Sequence, residues 1–212
     1  MPAASGSGFI SIRSSAARTS TLFACLAAAQ SQFGPPSSLI LRHTGSVTTI
    51  ERTLILLRHA KSDWSGSVPD IDRPLAERGR AQAPLAGRWL AGHADRIDLA
   101  VVSPAKRARE TWDLVSAQLA PAPPVRFDER VYAASANRPL DVVRGIPDEA
   151  RTALLVGHNP GIEELASHLA DEDVIMRTAG IAVIGINGQW SELDVTSAAL
   201  RVAGRSDGHD LR

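Results

Sequence analysis

The fold class predicted is α/β: a mostly parallel central sheet flanked by helices, as a single domain with a C-terminal edge hairpin. Three observations predict it. Three short apolar runs show no in–out alternation, as expected of strands buried on both faces of a parallel sheet. Helical periodicity lies between or after them. Each run also ends abruptly in polar residues, where open α/β sheets bind their ligands.

Taken in order, residues 1–50 contain no Asp or Glu, carry Arg13, Arg18 and Arg42, and include the breaker Gly34-Pro35-Pro36. No strand or helix period is sustained there. Three readings stand. It is a disordered or non-native extension from a start codon set too early, with Val47 as an alternative start. It is a secretory signal, with Leu22 to Ala29 as its apolar stretch. Or it is a transit peptide, rich in Ser and free of acids. The first reading implies a cytoplasmic protein, the others an exported or organelle-targeted one.

Thr53 to Leu57 is the first strand, ending in Arg58-His59. Ala81, Leu85 and Trp89 fall at i, i+4 and i+8 and predict the apolar face of a helix, with Pro84 awkward inside it. Leu99 to Val102 is the second strand, followed by Ser103-Pro104, and Arg107 lies on the loop or first helical turn beyond. Ala153 to Val156 is a third strand, followed by Gly157-His158-Asn159-Pro160. Ile162, Leu165, Ala166 and Leu169 mark the next helix. Ile181 to Ile186 and Trp190 to Val195 flank Asn187-Gly188-Gln189 and predict the edge hairpin. The domain is therefore set at 51–203, with a frayed tail at 204–212.

Composition excludes several classes. Lys plus Arg and Asp plus Glu are 23 each, so no net charge argues for nucleic acid or a membrane surface. No apolar run is long enough for a transmembrane helix. The lone Cys25 makes no internal disulfide and no zinc site. The hydrophobic fraction of 44% suffices for a core.

The strand ends bring Arg58, His59, Ser103 and His158 within reach of one another, with Arg107 nearby and Ser62 on the first loop. Two guanidiniums grip an oxyanion through forked hydrogen bonds. A neutral imidazole can attack a phosphoryl group and become phosphohistidine, while a second steadies charge or passes a proton. Arginine would neutralise the transferring group without a metal.

At this point the residues resemble a known family. Leu57-Arg58-His59-Ala60-Lys61-Ser62 is similar to the first motif of the histidine phosphatase superfamily, the phosphoglycerate mutase-like proteins. Leu75-Ala76-Glu77-Arg78-Gly79 with Gln82-Ala83 resembles its helix-opening motif, Ser103-Pro104-Ala105-Lys106-Arg107-Ala108 with Thr111 its second arginine motif, and Val156-Gly157-His158-Asn159 its second histidine motif. The Arg-His-Ala-Lys-Ser form, with Ala60 where Gly is commonest, resembles the small bacterial phosphohistidine phosphatase branch.

The resemblance implies a phosphoglycerate mutase-like fold and a phosphatase needing no cofactor and no metal. His59 would be the phosphorylated nucleophile, and Arg58, Arg107 and His158 the phosphate pocket. Ser62 and Asn159 would add phosphate contacts. The family's acid lies between the second arginine and second histidine motifs, which makes Glu129 the candidate acid and Asp128 the next. That stretch is short here, so no large helical lid is expected. An open site suits a phosphorylated protein, and the alternative substrate is a small phosphate ester such as a nucleotide or sugar phosphate. A noncatalytic phosphate- or phosphoprotein-binding module is the reading from another class.

Overall fold

The apolar runs become the middle of one twisted sheet. The computed structural model describes residues 51–132 and 137–205. The chain divides into Met1–Gly45 and Ser46–Arg212, and every described residue belongs to the second unit. The readings of residues 1–50, and of the tail beyond Arg205, lie outside the described residues.

The second unit is an α/β domain. In chain order it holds β1 (Glu51–Arg58), α1 (Glu77–His93), β2 (Leu99–Val102), α2 (Lys106–Ser116), β3 (Val125–Phe127), α3 (Asn137–Arg144), β4 (Thr152–Gly157), α4 (Gly161–Ala170), β5 (Gly180–Asn187) and β6 (Ala198–Arg205). The sheet has six strands in the order β3-β2-β4-β1-β5-β6. β1 pairs parallel with β4, β4 with β2, and β2 with β3. β5 runs antiparallel to β1, and β6 antiparallel to β5, which makes the sheet mixed at one side.

The missing alternation in β1 has a direct cause. Leu54 and Leu56 join a core with Leu155, Leu165, Leu169 and Trp190, while Ile55 and Leu57 join a second core with Leu90, Trp112 and Val115. Successive side chains of a strand point to opposite faces, and here both faces are covered by helices. β4 does the same, sending Ala153 and Leu155 one way and Leu154 and Val156 the other.

Helix α4 buries Ile162, Leu165, Ala166 and Leu169, the stripe its periodicity predicts. Helix α1 departs from expectation. It buries Gly79, Gln82, Ala83, Ala86, Gly87 and Leu90, whereas Ala81 is exposed and Leu85 and Trp89 are half-buried. Close approach decides the face. A Cβ on Gly87 would stand 2.7 Å from the Val115 carbonyl oxygen, so small residues must meet α2 and the sheet. The bulky side chains are left at the flank, where Trp89 stacks on His93 at 4.7 Å. The helix continues through Pro84, which has no N–H to offer the preceding turn.

The edge hairpin is present with a different second strand. Trp190–Glu192 is a 3-10 turn, and the partner strand is β6, which continues past Ala203 to Arg205. The cause is Trp190, fully buried in the core with its Nε1–H donating to the Ala150 carbonyl at 2.8 Å. Anchoring that indole pulls the connection down against the core before the chain can turn back. Trp190→Phe should lower unfolding stability by about 3 kcal/mol, from a lost hydrogen bond and a cavity together. Urea unfolding at neutral pH checks this; a loss below about 1 kcal/mol would mean the indole is not the anchor.

Between α2 and β4 the described residues hold β3, a 3-10 turn at Glu129–Val131 and the two-turn α3. Leu140, Val142 and Val143 of α3 are core residues, so this short helix is a wall of the domain. Among the described residues no helix is long and apolar enough to cross a membrane.

Candidate active site

The carboxyl ends of β1, β2 and β4 lie side by side, and each delivers polar groups to one place. β1 ends at Arg58, and the ladder extends one residue through the His59 N–H to the Gly157 carbonyl at 3.0 Å. β2 ends just before Ser103, whose N–H bonds the Val156 carbonyl, and Arg107 stands in the first turn of α2. β4 ends at Gly157, which puts His158 beside His59 with ring centroids 4.8 Å apart. Arg58, His59, Ser62, Arg107, His158 and Asn159 all line one cavity of about 490 Å³.

His59 is held in a defined state. Its Nδ1 lies 2.7 Å from the Ala60 carbonyl oxygen, which can only accept, so the proton belongs on Nδ1. Nε2 is left with a lone pair, and the Arg107 Nε–H points at it from 3.3 Å. Burial lowers the His59 pKa to about 4; the Ala60 carbonyl opposes this, and the positive charges of Arg107, Arg58 and Arg73 add to it. The ring is therefore neutral at physiological pH, with the Nε2 lone pair free of a proton. His158 is pushed to about 2, by burial first and then by His59 and Arg107. Its Nε2 is 2.7 Å from the Ser103 hydroxyl, and a hydroxyl donating there would leave the ring proton on Nδ1.

The loop carrying His59 is braced from several sides. Thr111 Oγ1 accepts from the Ala60 N–H at 3.0 Å and donates to the Arg107 carbonyl at 2.6 Å, tying the histidine loop to the arginine turn. The Lys61 carbonyl accepts from Ala76 N–H, and Lys61 N–H donates to Gln82 Oε1. The first residues of α1 thus serve as the floor of the loop. On the other side Arg58 Nη1 donates to the Met176 carbonyl at 2.7 Å, which also accepts from Asn159 Nδ2. Glu163 holds both, accepting from Asn159 Nδ2 and from Met176 N–H.

Five of the eight buried side-chain polar atoms without a partner among the described residues belong to residues lining this cavity: Arg58 Nε, Arg73 Nε and Nη1, His158 Nδ1 and Asn159 Oδ1. Unpaired buried guanidinium nitrogens are costly. An anion entering the cavity would give them a partner.

Several contributors were not foreseen from the sequence. Asp70, in a 3-10 turn before α1, accepts from Arg107 Nη2 at 2.9 Å through Oδ2 and from Arg107 Nη1 at 2.6 Å through its carbonyl. Tyr132 O–H donates to the same Oδ2 at 2.9 Å, and Arg73 Nη2 donates to Oδ1 at 2.5 Å. Burial works to raise the Asp70 carboxyl, but the Tyr132 hydroxyl and the Arg107 and Arg73 guanidiniums outweigh it and hold it below the usual range. Arg73 also lies over the Trp64 ring at 3.5 Å. The only advance signal was the density of charged residues in Asp70-Ile71-Asp72-Arg73 directly before the helix-opening motif. Glu129, the expected acid, is exposed and does not line the cavity. Asp128 is engaged by Arg130 and Arg126. The 3-10 turn at Glu129–Val131 instead leads to Tyr132, whose ring meets His158 edge-on at 5.6 Å. Among the described residues no cluster of His, Cys, Asp or Glu has the makings of a metal site.

The depressed histidine pKa values have a stability consequence. The unfolded chain takes up protons on both rings near pH 6.5, the folded chain on His59 only near 4. Their contribution is intact above pH 6.5 and is lost as pH falls toward 4, because the unfolded state binds more protons there. Urea midpoints should fall steadily between pH 7 and pH 4.5, and His59→Ala should make that fall shallower. A pH-independent midpoint over this window would contradict the buried neutral rings.

Comparison with known proteins agrees with this geometry. Residues 54–134 match a family model described as the histidine phosphatase superfamily, branch 1. A Mycobacterium tuberculosis protein of no assigned function, Rv1276c, is 37% identical over 155 residues, spanning 68% of this chain and 96% of the relative. The structure of a candidate phosphohistidine phosphatase, SixA, from Nakamurella multipartitia is 30% identical with a TM-score of 0.66, covering 73% of this chain and 96% of that one. A SixA of similar description from Agrobacterium tumefaciens is 29% identical with a TM-score of 0.59, covering 63% and 90%.

Proposed function

Because this chain belongs to the histidine phosphatase superfamily, we propose that it is a metal-independent phosphatase that works through a phosphohistidine on His59 and removes phosphate from phosphohistidine in proteins. The observation that carries the reading is the state of His59: buried, neutral, protonated on Nδ1, with its Nε2 lone pair beside Arg107. His59 Nε2 attacks phosphorus in line. Arg58, Arg107 and His158 hold the equatorial oxygens as charge builds on them, and Ser62 and Asn159 add contacts at the rim. Water then cleaves the phosphoenzyme. The phosphoprotein substrate is supported by the short stretch between α2 and β4, by the exposed Trp64 at the cavity edge, and by the names of the SixA relatives. A phosphoramidate leaves readily once its nitrogen is protonated, so it places a light demand on the acid.

One observation favours a second reading. The cavity volume of about 490 Å³ falls within the usual range of small-molecule sites, which suits a nucleotide or sugar phosphate. A panel of a phosphohistidine protein, nucleotides, sugar phosphates and p-nitrophenyl phosphate, with and without chelator, separates the readings. Preference for the phosphoprotein, unaffected by chelator, is the expected result. Preference for one small ester would establish the second reading, and binding without turnover of any substrate would make the chain a phosphate-binding module.

A further inference from the structure

We propose that Asp70 is the proton-transfer residue of this site, parked on Arg107 while the site is empty and released to the leaving group when a phosphoryl group takes its place. The inference rests on the phosphatase reading above and adds the group that manages the proton.

Four observations lead to it. Among the described residues lining the cavity, Asp70 is the one carboxylate. Its carboxyl and carbonyl occupy both terminal nitrogens of Arg107, while the third nitrogen of that guanidinium faces His59 Nε2. The carboxylate therefore sits one guanidinium away from the nucleophile and uses the contacts that a phosphoryl oxygen would need. Its side chain is half exposed, whereas His59 is buried, so it stands on the solvent side of the nucleophile. In-line attack sends the leaving group away from the nucleophile, toward that side. Finally, the Tyr132 hydroxyl donates to Oδ2 and fixes the carboxyl from outside the cavity.

The consequence is electrostatic. Arg107, Arg73 and Tyr132 together favour the ionised carboxylate in the resting site. A phosphoryl group that takes the two Arg107 nitrogens removes the Arg107 hydrogen bonds from Asp70 and sets negative charge beside it. Both changes favour the protonated form. The carboxyl takes up a proton as substrate binds. As the bond from His59 Nε2 to phosphorus forms and the bond from phosphorus to the leaving atom breaks, the carboxyl gives that proton to the leaving oxygen or nitrogen. The resulting carboxylate then accepts a proton from water, whose oxygen bonds to phosphorus as the Nε2–phosphorus bond breaks. Phosphate departs, Asp70 loses its proton to solvent, and the pair with Arg107 re-forms.

Asp70→Asn keeps the shape and the hydrogen bond from Tyr132 but cannot deliver or accept the proton. Turnover is measured on p-nitrophenyl phosphate, whose leaving group needs little protonation, and on a simple alkyl phosphate, whose leaving group needs it. The loss should be about 100-fold greater on the alkyl ester. Equal losses on both would mean that Asp70 only positions Arg107, and no loss on the alkyl ester would remove it from the mechanism; either overturns the proposal. The wild type supplies an independent measurement. With an acid in place, its rate of phosphoenzyme formation should depend weakly on leaving-group pKa, and a steep dependence would overturn the proposal without reference to any variant. A wild type inactive on every ester and on phosphohistidine would sink the phosphatase reading itself, and Asp70's role with it, which is a result distinct from the others.

Discussion

His59→Ala is expected to lower turnover of p-nitrophenyl phosphate by roughly 10³-fold or more while leaving the protein folded. The proposed mechanism asks one atom, His59 Nε2, to form the bond to phosphorus, and no neighbour is placed to replace it. His158 lies alongside, but its Nε2 is bonded to Ser103. The protein should survive the change. The imidazole is buried and neutral, its hydrogen bonds are to the adjacent Ala60 carbonyl and to Arg107, and its removal takes no charge from the core. Rapid acid-free quenching of the wild type with labelled substrate should trap phosphate on the protein, labile to acid and stable to alkali, and the variant should trap none. Full turnover by a folded His59→Ala protein would exclude a phosphohistidine on this residue.

The second large effect falls on a residue that touches no substrate. Gly79→Ala should destabilise the protein by about 3 kcal/mol and lower activity with it. A Cβ at Gly79 would lie 2.1 Å from the Lys61 carbonyl oxygen and 3.1 Å from the Lys61 nitrogen, so the obstacle is backbone and has no rotamer to change. Either α1 moves away from the sheet, or the loop carrying His59 shifts. The same carbonyl accepts from Ala76 N–H, and Ser62 bridges to Leu75, so the loop has little room to yield. Gly92→Ala is the matched control, because a Cβ there meets nothing within 4 Å. A melting temperature for Gly79→Ala as high as that control would show that the approach is not tight.

These two residues show different kinds of legibility. His59 was legible because a polar pair at the end of an apolar strand, repeated at two other strand ends, has few structural explanations. Gly79 stood in a motif, but its reason was not readable: a glycine on a helix looks merely unfavourable until the backbone it must approach is known. Helix α1 was misread for a related cause. Periodicity assigns the core face to the largest apolar residues, and here close packing against α2 selects the smallest. The hairpin was read correctly as a hairpin and wrongly as a short one, because the buried indole of Trp190 lengthens the connection through a contact about forty residues away in sequence, at Ala150.

The sequence by itself determined which polar residues stand at the strand ends, the parallel centre of the sheet and the family, since each of these rests on local pattern or motif order. Strands buried on both faces announce themselves in consecutive residues, and an Arg-His pair after such a strand is local information. Only the tertiary structure decided which carboxylate stands at the cavity. The sequence favoured Glu129 by its place between motifs; folding leaves it exposed and brings Asp70 against Arg107 and Tyr132, from 37 and 62 residues away in the chain. A hydrogen bond between distant residues leaves no periodicity, because it depends on where two loops end after the sheet has twisted and the helices have packed. The electrostatic state of the site likewise comes from burial and from neighbours that meet only in the folded chain.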